Sequence, residues 1–314
     1  MGMVQKNIAT LSVSNTKIYR SKDSKFIYIL LLPALIITFV FSYVPMPGII
    51  VAFQDYKIFG GILGSPWAGL KHIIDIVRLP ALSGAVINTL LLSSLTLSIS
   101  FPAAIVLALF FNELKVGIFK KTVQTISYLP YFLSWISVIG IAGSFLAIYG
   151  SINDLRVGLL GPDTERLMFL SQQEMFVPLL ILLTLWKEVG WNSILYLAAI
   201  SSIDVQLYEA AKMDGASRLQ QTWHITLPCI KPTIIILLIF SMGSLFSNNF
   251  ELVYGMQNPF IKFDVISTIV YSRGIVQANY SMAAAIGFMQ GLISFLLVFI
   301  SNKVAKAVSE IYIW

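Results

Sequence analysis

Residues 204–232, DVQLYEAAKMDGASRLQQTWHITLPCIKP, form a polar island between two long apolar runs. Asp204 is placed to N-cap a short helix through Tyr208, Glu209 and Lys212, and Gly215 supplies a left-handed stop. A second short helix is expected from about Ser217, with Pro228 and Pro232 ending it. The island therefore predicts a compact helix-turn-helix knob.

What flanks the knob decides its setting. The 314-residue chain is 57% hydrophobic and only 11% charged, with a mean hydropathy of +0.82. That composition is an integral membrane protein. A spanning helix needs roughly 20 apolar residues, and the pattern gives six spans at about 26–44, 85–111, 122–148, 176–200, 233–250 and 282–301. A transmembrane domain thus covers 26–302, with tails at 1–25 and 303–314. Alternating ten-residue runs of the kind a barrel needs are absent, so the fold class is all-α. Residues 49–81, broken by Gly60, Gly61, Gly64, Pro66 and Pro80, read as a loop with amphipathic segments. The first run is long for a secretory leader and is followed by Pro45-Met46-Pro47, not by a small-residue cleavage pattern, so it reads as an uncleaved helix.

Counting charge sets the orientation. Of 21 Lys and Arg, 13 fall in the two tails, the 115–121 turn and the knob, and 7 fall in the opposite loops. The positive-inside rule puts both termini and the knob in the cytoplasm. The net charge of +6 is explained by these flanks facing anionic lipid, and no nucleic-acid partner is expected. Cys229 is the single cysteine. His72 and His224 have no ligand-spaced neighbours, so no metal site is expected. The glycines from Gly60 to Gly69 lack a nucleotide-binding loop pattern, and the chain holds no ATP of its own.

Within the spans, the costly residues are Lys187 and Glu188. A charge at mid-bilayer costs about 2.5 to 3.5 kcal/mol on insertion scales, so both must face protein or a water-filled path. Lys187 shares a helix face with Trp191, and Glu188 shares one with Asn192. These four are candidate substrate contacts or, equally, a buried packing group. Ser241, Ser244 and Asn248 recur at i, i+3 and i+7, with Asn249 beyond, and give a polar stripe that lines a path or glues helices. Gly287 and Gly291 form a G-x-x-x-G pair, for packing inside the chain or at a subunit interface.

Glu209-Ala210-Ala211, Asp214-Gly215-Ala216, Ile225, Leu227-Pro228 and Pro232 resemble the EAA loop of permease subunits of binding-protein-dependent ABC importers, with Trp223 where that family usually has Phe. Asn88-Thr89 at the second span also resembles these permeases. The resemblance implies the type I importer permease fold in the cytoplasmic (inner) membrane, with Glu209, Ala210, Ala211, Asp214, Gly215, Ala216, Leu227 and Pro228 coupling to an ATPase. It implies a second homologous permease, an ATPase dimer carrying ATP and Mg, and an extracytoplasmic solute-binding protein, with no catalytic residue on this chain. AFQDYKIFGGILGSPWAGL at 52–70 and WKEVGW at 186–191 look like the branch serving complex, often uronate-bearing, saccharides: alginate-, galacturonan- or aldouronate-like. Lys187 suits an acidic sugar. Two rivals are a proton-coupled secondary sugar transporter using Lys187 and Glu188, and a channel or scaffold subunit that has no need of the knob.

Overall fold

The computed structural model describes residues 24–247, 249–309 and 313. Most of the expected N-terminal tail, Asn248 and most of 310–314 lie outside the described residues. Among the described residues there is no strand beyond an isolated Gln54–Trp67 bridge. Five helices are long and apolar enough to cross a membrane, six when Gln173–Ser201 is counted with the bent segment that follows it. The chain divides into a unit ending at Gly48 and a unit from Ile49.

The first unit is built on α1 (Ser24–Thr38), which carries Pro33 and passes into a wide π-type turn over Phe39–Tyr43. The expected span 26–44 therefore does not keep one helical geometry to its end.

The second unit begins with residues 49–79, tied down by polar contacts. Ser281 Oγ donates to the Gln54 carbonyl at 2.6 Å and accepts from Tyr56 N at 2.9 Å. Asp55 accepts from Lys71 Nζ at 3.0 Å and lies 3.1 Å from His72 Nε2, at the start of α2 (Lys71–Val77). The Lys71 hydrogen bond is the main cause holding the Asp55 carboxyl below its usual value. α3 (Pro80–Glu113) opens with proline, whose missing N–H costs nothing at a helix start.

The expected third span, 122–148, is broken. α4 (Ile118–Tyr128) leads to a tight turn at Leu129–Phe132, Leu133 is extended, and Ser134 caps α5 (Trp135–Leu146) by accepting from Ser137 N at 3.2 Å. Pro130 interrupts the helix's backbone hydrogen bonds. Hydropathy cannot register this, because LPYFLSWI stays apolar across the break. The loop expected at 149–174 contains α6 (Ser151–Leu160). α7 (Gln173–Ser201) is one continuous helix of 29 residues.

The knob follows, with α8 (Val205–Met213) and the start of α9 (Arg218–Gly243). Here the proline expectation fails, because the helix runs through both Pro228 and Pro232. A π-type turn at Thr222–Thr226, closed by Leu227 N donating to Thr222 O, widens the helix just before Pro228. Its ring then avoids the clash an ordinary turn would impose.

The expected fifth span, 233–250, stops being helical after Gly243, and Asn249 caps α10 (Phe250–Met256) by accepting from Leu252 N at 3.1 Å. α11 (Ile266–Tyr271) and α12 (Tyr280–Ser309) complete the chain. The helix of the sixth span thus runs past 301 into the expected tail.

Among the described residues four apolar clusters hold the second unit, the smallest of them Ala142, Leu146 and Leu179. Ala104 and Ala108 of α3 pack with Tyr196 and Ile200 of α7 and Ile230 of α9 near the knob. Leu92, Phe176 and Leu180 pack with Leu252, Val253 and Met256. Ala52, Ile76 and Ala85 pack with Phe246, Ile266, Ile269, Ala285 and Ile286. Close approach to α12 comes at Gly243, where a methyl would meet Val298, and at Gly274, where it would meet Ala283. Among the described residues nothing lies within 4 Å of a methyl built on Gly287 or Gly291, so that pair makes no close contact with them.

Candidate functional site

The knob is built by caps. Asp204 Oδ1 accepts from Gln206 N at 2.9 Å and starts α8. Gly215 takes φ +80°, a left-handed conformation that lets Ala216 N return to the Ala211 carbonyl at 2.9 Å. Ser217 and Gln220 then make a reciprocal capping box. Gln221 Nε2 donates to Ala216 O at 2.9 Å, and the Tyr208 and Thr226 hydroxyls meet at 2.9 Å. Arg218 pairs with Glu113 at 2.7 Å, so the end of α3 shares this end of the molecule.

Glu209, Ala210, Asp214, Gly215 and Pro228 are exposed, Ala211 and Ala216 are half-buried, and Leu227 packs beside Ile230. Val205, Leu207, Met213, Leu219 and Trp223 are all exposed, Met213 at 88%. The knob is thus tied internally and carries these apolar side chains, beside Glu209, Lys212 and Asp214, on its outside.

A cavity of about 630 Å³ opens between α3, α7 and the α9–α10 connection. Glu188, Asn192, Ser244 and Asn249 all line it, together with Ser241 and Thr184. Sequence reading missed the α3 wall, where Ser93, Thr96 and Ser100 face the same space. The signal was present, since these hydroxyls recur at i, i+3 and i+7 within LLLSSLTLSIS. The lining offers hydroxyls, amides and one carboxyl, but no Lys or Arg.

Lys187 and Trp191 do not line this cavity. Lys187 is 6% exposed, and its Nζ donates to the Tyr131 carbonyl at 2.8 Å. The ammonium also sits 5.0 Å from the Tyr131 ring and 4.9 Å from the Trp135 ring, within cation–π range. Trp191 stacks on Tyr131 at 4.4 Å and 4°. A turn of helix along, Gly190 packs so tightly against Ser127 that an added methyl would strike its carbonyl. This face of α7 fastens the break in the third span.

Asn88 and Thr89 also act as fasteners. Asn88 Nδ2 donates to Asp264 O at 2.9 Å, and Thr89 Oγ1 accepts from Ile266 N at 3.0 Å, which holds α11 to the first turns of α3. Among the described residues no group of three His, Cys, Asp or Glu side chains is placed to hold a metal.

Residues 100–310 match the model of the binding-protein-dependent transport system inner membrane component family. The chain belongs to that family. It is 45% identical over 291 residues, 92% of this chain and 90% of the relative, to the polygalacturonan/rhamnogalacturonan transport system permease protein YteP of Bacillus subtilis (strain 168). A crystal structure of a bacterial ABC transporter involved in the import of the acidic polysaccharide alginate superposes with a TM-score of 0.81 at 37% identity, covering 92% of this chain and 97% of that one. The alginate transporter in complex with its pentasaccharide-bound periplasmic protein gives 0.82 at 36%, covering 93% and 98%. The permease is an inner-membrane, multi-pass transport component with the ABC importer fold, not an enzyme.

Proposed function

We infer that this permease imports an acidic oligo- or polysaccharide of uronate type, as one of two homologous membrane subunits. A separate ATPase dimer supplies ATP hydrolysis with Mg, and an extracytoplasmic solute-binding protein delivers the substrate. The observation that carries this reading is the polar-walled cavity between α3, α7 and α9, in a chain 45% identical to a pectic polysaccharide permease. Eleven hydroxyl, amide and carboxyl side chains converge there from α3, α7, α9 and the α9–α10 connection, which suits a hydroxyl-rich ligand in a path between helices. The wall holds no cation, so it grips sugar hydroxyls and leaves uronate carboxylates to groups outside it, foremost on the second permease.

The excess of Lys and Arg in the tails and the knob supports cytoplasmic termini. In this orientation the exposed apolar residues of the knob meet the ATPase. Glu209, Ala210, Ala211, Asp214, Gly215, Ala216, Leu227 and Pro228 form or position that contact.

The test is ATP-dependent uptake of labelled oligogalacturonate and of a neutral oligosaccharide into proteoliposomes holding this chain with its partner permease, ATPase and binding protein. The native assembly is expected to import the acidic sugar only with ATP. The Glu209→Ala plus Gly215→Pro variant, inserted to the same level, is expected to lose at least about tenfold, because proline cannot take the left-handed φ. Equal uptake by both proteins would remove the coupling role of the knob. Exclusive uptake of neutral sugar would remove the acidic substrate.

A further inference from the structure

The three helices that wall the cavity do not reach the knob in the same way. α7 runs into it through the backbone, since Ser201 ends α7 and Asp204 already caps α8. α9 begins inside it, at Arg218. α3 gives Ser93, Thr96 and Ser100 to the wall but ends at Glu113 and leads into the 115–121 turn and α4. Its backbone therefore bypasses the knob.

An ion pair makes up the missing link. Arg218 Nη1 donates to Glu113 Oε2 at 2.7 Å, across 105 positions of sequence. Lys71 and His72 with Asp55, and Arg166 with Asp154, are by contrast pairs within a single loop. Glu113 is the only acidic residue between Asp75 and Asp154, so it has no stand-in on α3. Ala104 and Ala108 also pack on Tyr196, Ile200 and Ile230, but apolar contact is non-directional. A charge-assisted hydrogen bond fixes the register of the two elements.

Both ends of the link are held. Arg218 stands in the turn set by the Ser217–Gln220 capping box, and Thr222 Oγ1 donates to its carbonyl at 3.0 Å. α3 stays helical from Pro80 through Pro102 to Glu113, and at 1.5 Å per residue Glu113 lies about 20 Å along the axis from Ser100. The pair is exposed, 77% for Arg218 and 43% for Glu113, and such pairs add little to folding stability. Its effect then falls on where α3 sits relative to the knob, not on whether the permease folds.

We propose that Glu113 and Arg218 are a positioning pair for transport, tying α3 to the knob so that a displacement of the knob by the ATPase carries all three cavity walls together. The inference rests on the import reading above for the ATPase stroke and is independent of the substrate class.

The experiment measures oligosaccharide imported per ATP hydrolysed by the complete transporter in proteoliposomes, with oligogalacturonate and a neutral oligosaccharide run side by side. Glu113→Gln and Arg218→Gln are each expected to lower that ratio about fivefold while ATP hydrolysis and the melting temperature stay native. The exchanged pair, Glu113→Arg plus Arg218→Glu, is expected to restore it to within about twofold. A native ratio in Glu113→Gln would overturn the proposal. So would a loss confined to Arg218→Gln, which would set Arg218 against the ATPase instead. A second arm reads a gain: Glu113→Cys plus Arg218→Cys in a Cys229→Ser background starts low, and a short bis-maleimide joining the two positions is expected to bring the ratio back. A bridge that stops import would mean that α3 and the knob must move apart, and would overturn the link. If the native transporter imports neither sugar, the import reading fails by itself, and the pair is scored on maleimide labelling of Thr96→Cys in the Cys229→Ser background. ATP is expected to change that labelling with Glu113 present and not with Glu113→Gln; the same response in both overturns the link.

Discussion

Two faces of a single helix, α7, carry neighbouring charged residues to opposite purposes. Lys187, Gly190 and Trp191 lie against the broken third span, where an ammonium, a missing side chain and an indole each fit a specific partner. Thr184, Glu188 and Asn192 face the cavity. Consecutive helix positions point about 100° apart, so one residue separates a structural fastening from the cavity wall. Burial of a charge by itself does not say which of the two it serves.

Substitutions along α7 test this division, and the largest effect belongs to the fastening face. Gly190→Ala puts a methyl into the Ser127 carbonyl, where backbone must move. It is expected to destabilise the permease by about 3 kcal/mol, the upper end of overpacking costs, seen as a lower melting temperature and a lower yield of the detergent-solubilised assembly. A normal melt would mean the two segments are not in close contact.

Lys187→Met comes next. It removes a charge-assisted hydrogen bond and two ring contacts but also the cost of burying a charge, for a net loss of about 1–2 kcal/mol. The ratio of acidic to neutral sugar imported is expected to stay as in the native protein. A changed ratio would place Lys187 in the path and dissolve the comparison.

Glu188→Gln, its immediate neighbour, should do the reverse, leaving stability within about 0.5 kcal/mol. Import of acidic over neutral oligosaccharide should rise, because a like charge leaves the wall. Thr184→Val is the smallest, a change of about twofold in import rate from one lost hydroxyl among many, with the melt unchanged.

The sequence made the knob legible almost residue by residue. Asp204, Gly215 and Ser217 act through local backbone geometry, and each does in the structure what its type and position suggest. The prolines misled because Pro228 and Pro232 end a helix only if the preceding turn is regular, and the π-type turn before them is not. The break at 129–134 was hidden for a related reason: membrane hydropathy reports the environment of a segment, not its hydrogen bonding. The cavity was half legible. Glu188, Asn192, Ser244 and Asn249 stood out as polar residues in apolar spans, whereas Ser93, Thr96 and Ser100 passed as ordinary small residues, since a hydroxyl can satisfy itself on its own helix.

By itself the sequence determined the solvent, the helical class, the knob and the family resemblance. Each rests on residue type or on spacing along one helix, which the chain carries without reference to any other segment. Only the tertiary structure decided that Lys187 fastens while Glu188 lines, that Asn88 and Thr89 hold α11, and that Arg218 meets Glu113. Those outcomes depend on which distant segment arrives at a given helix face, and no periodicity within a single helix encodes its partner.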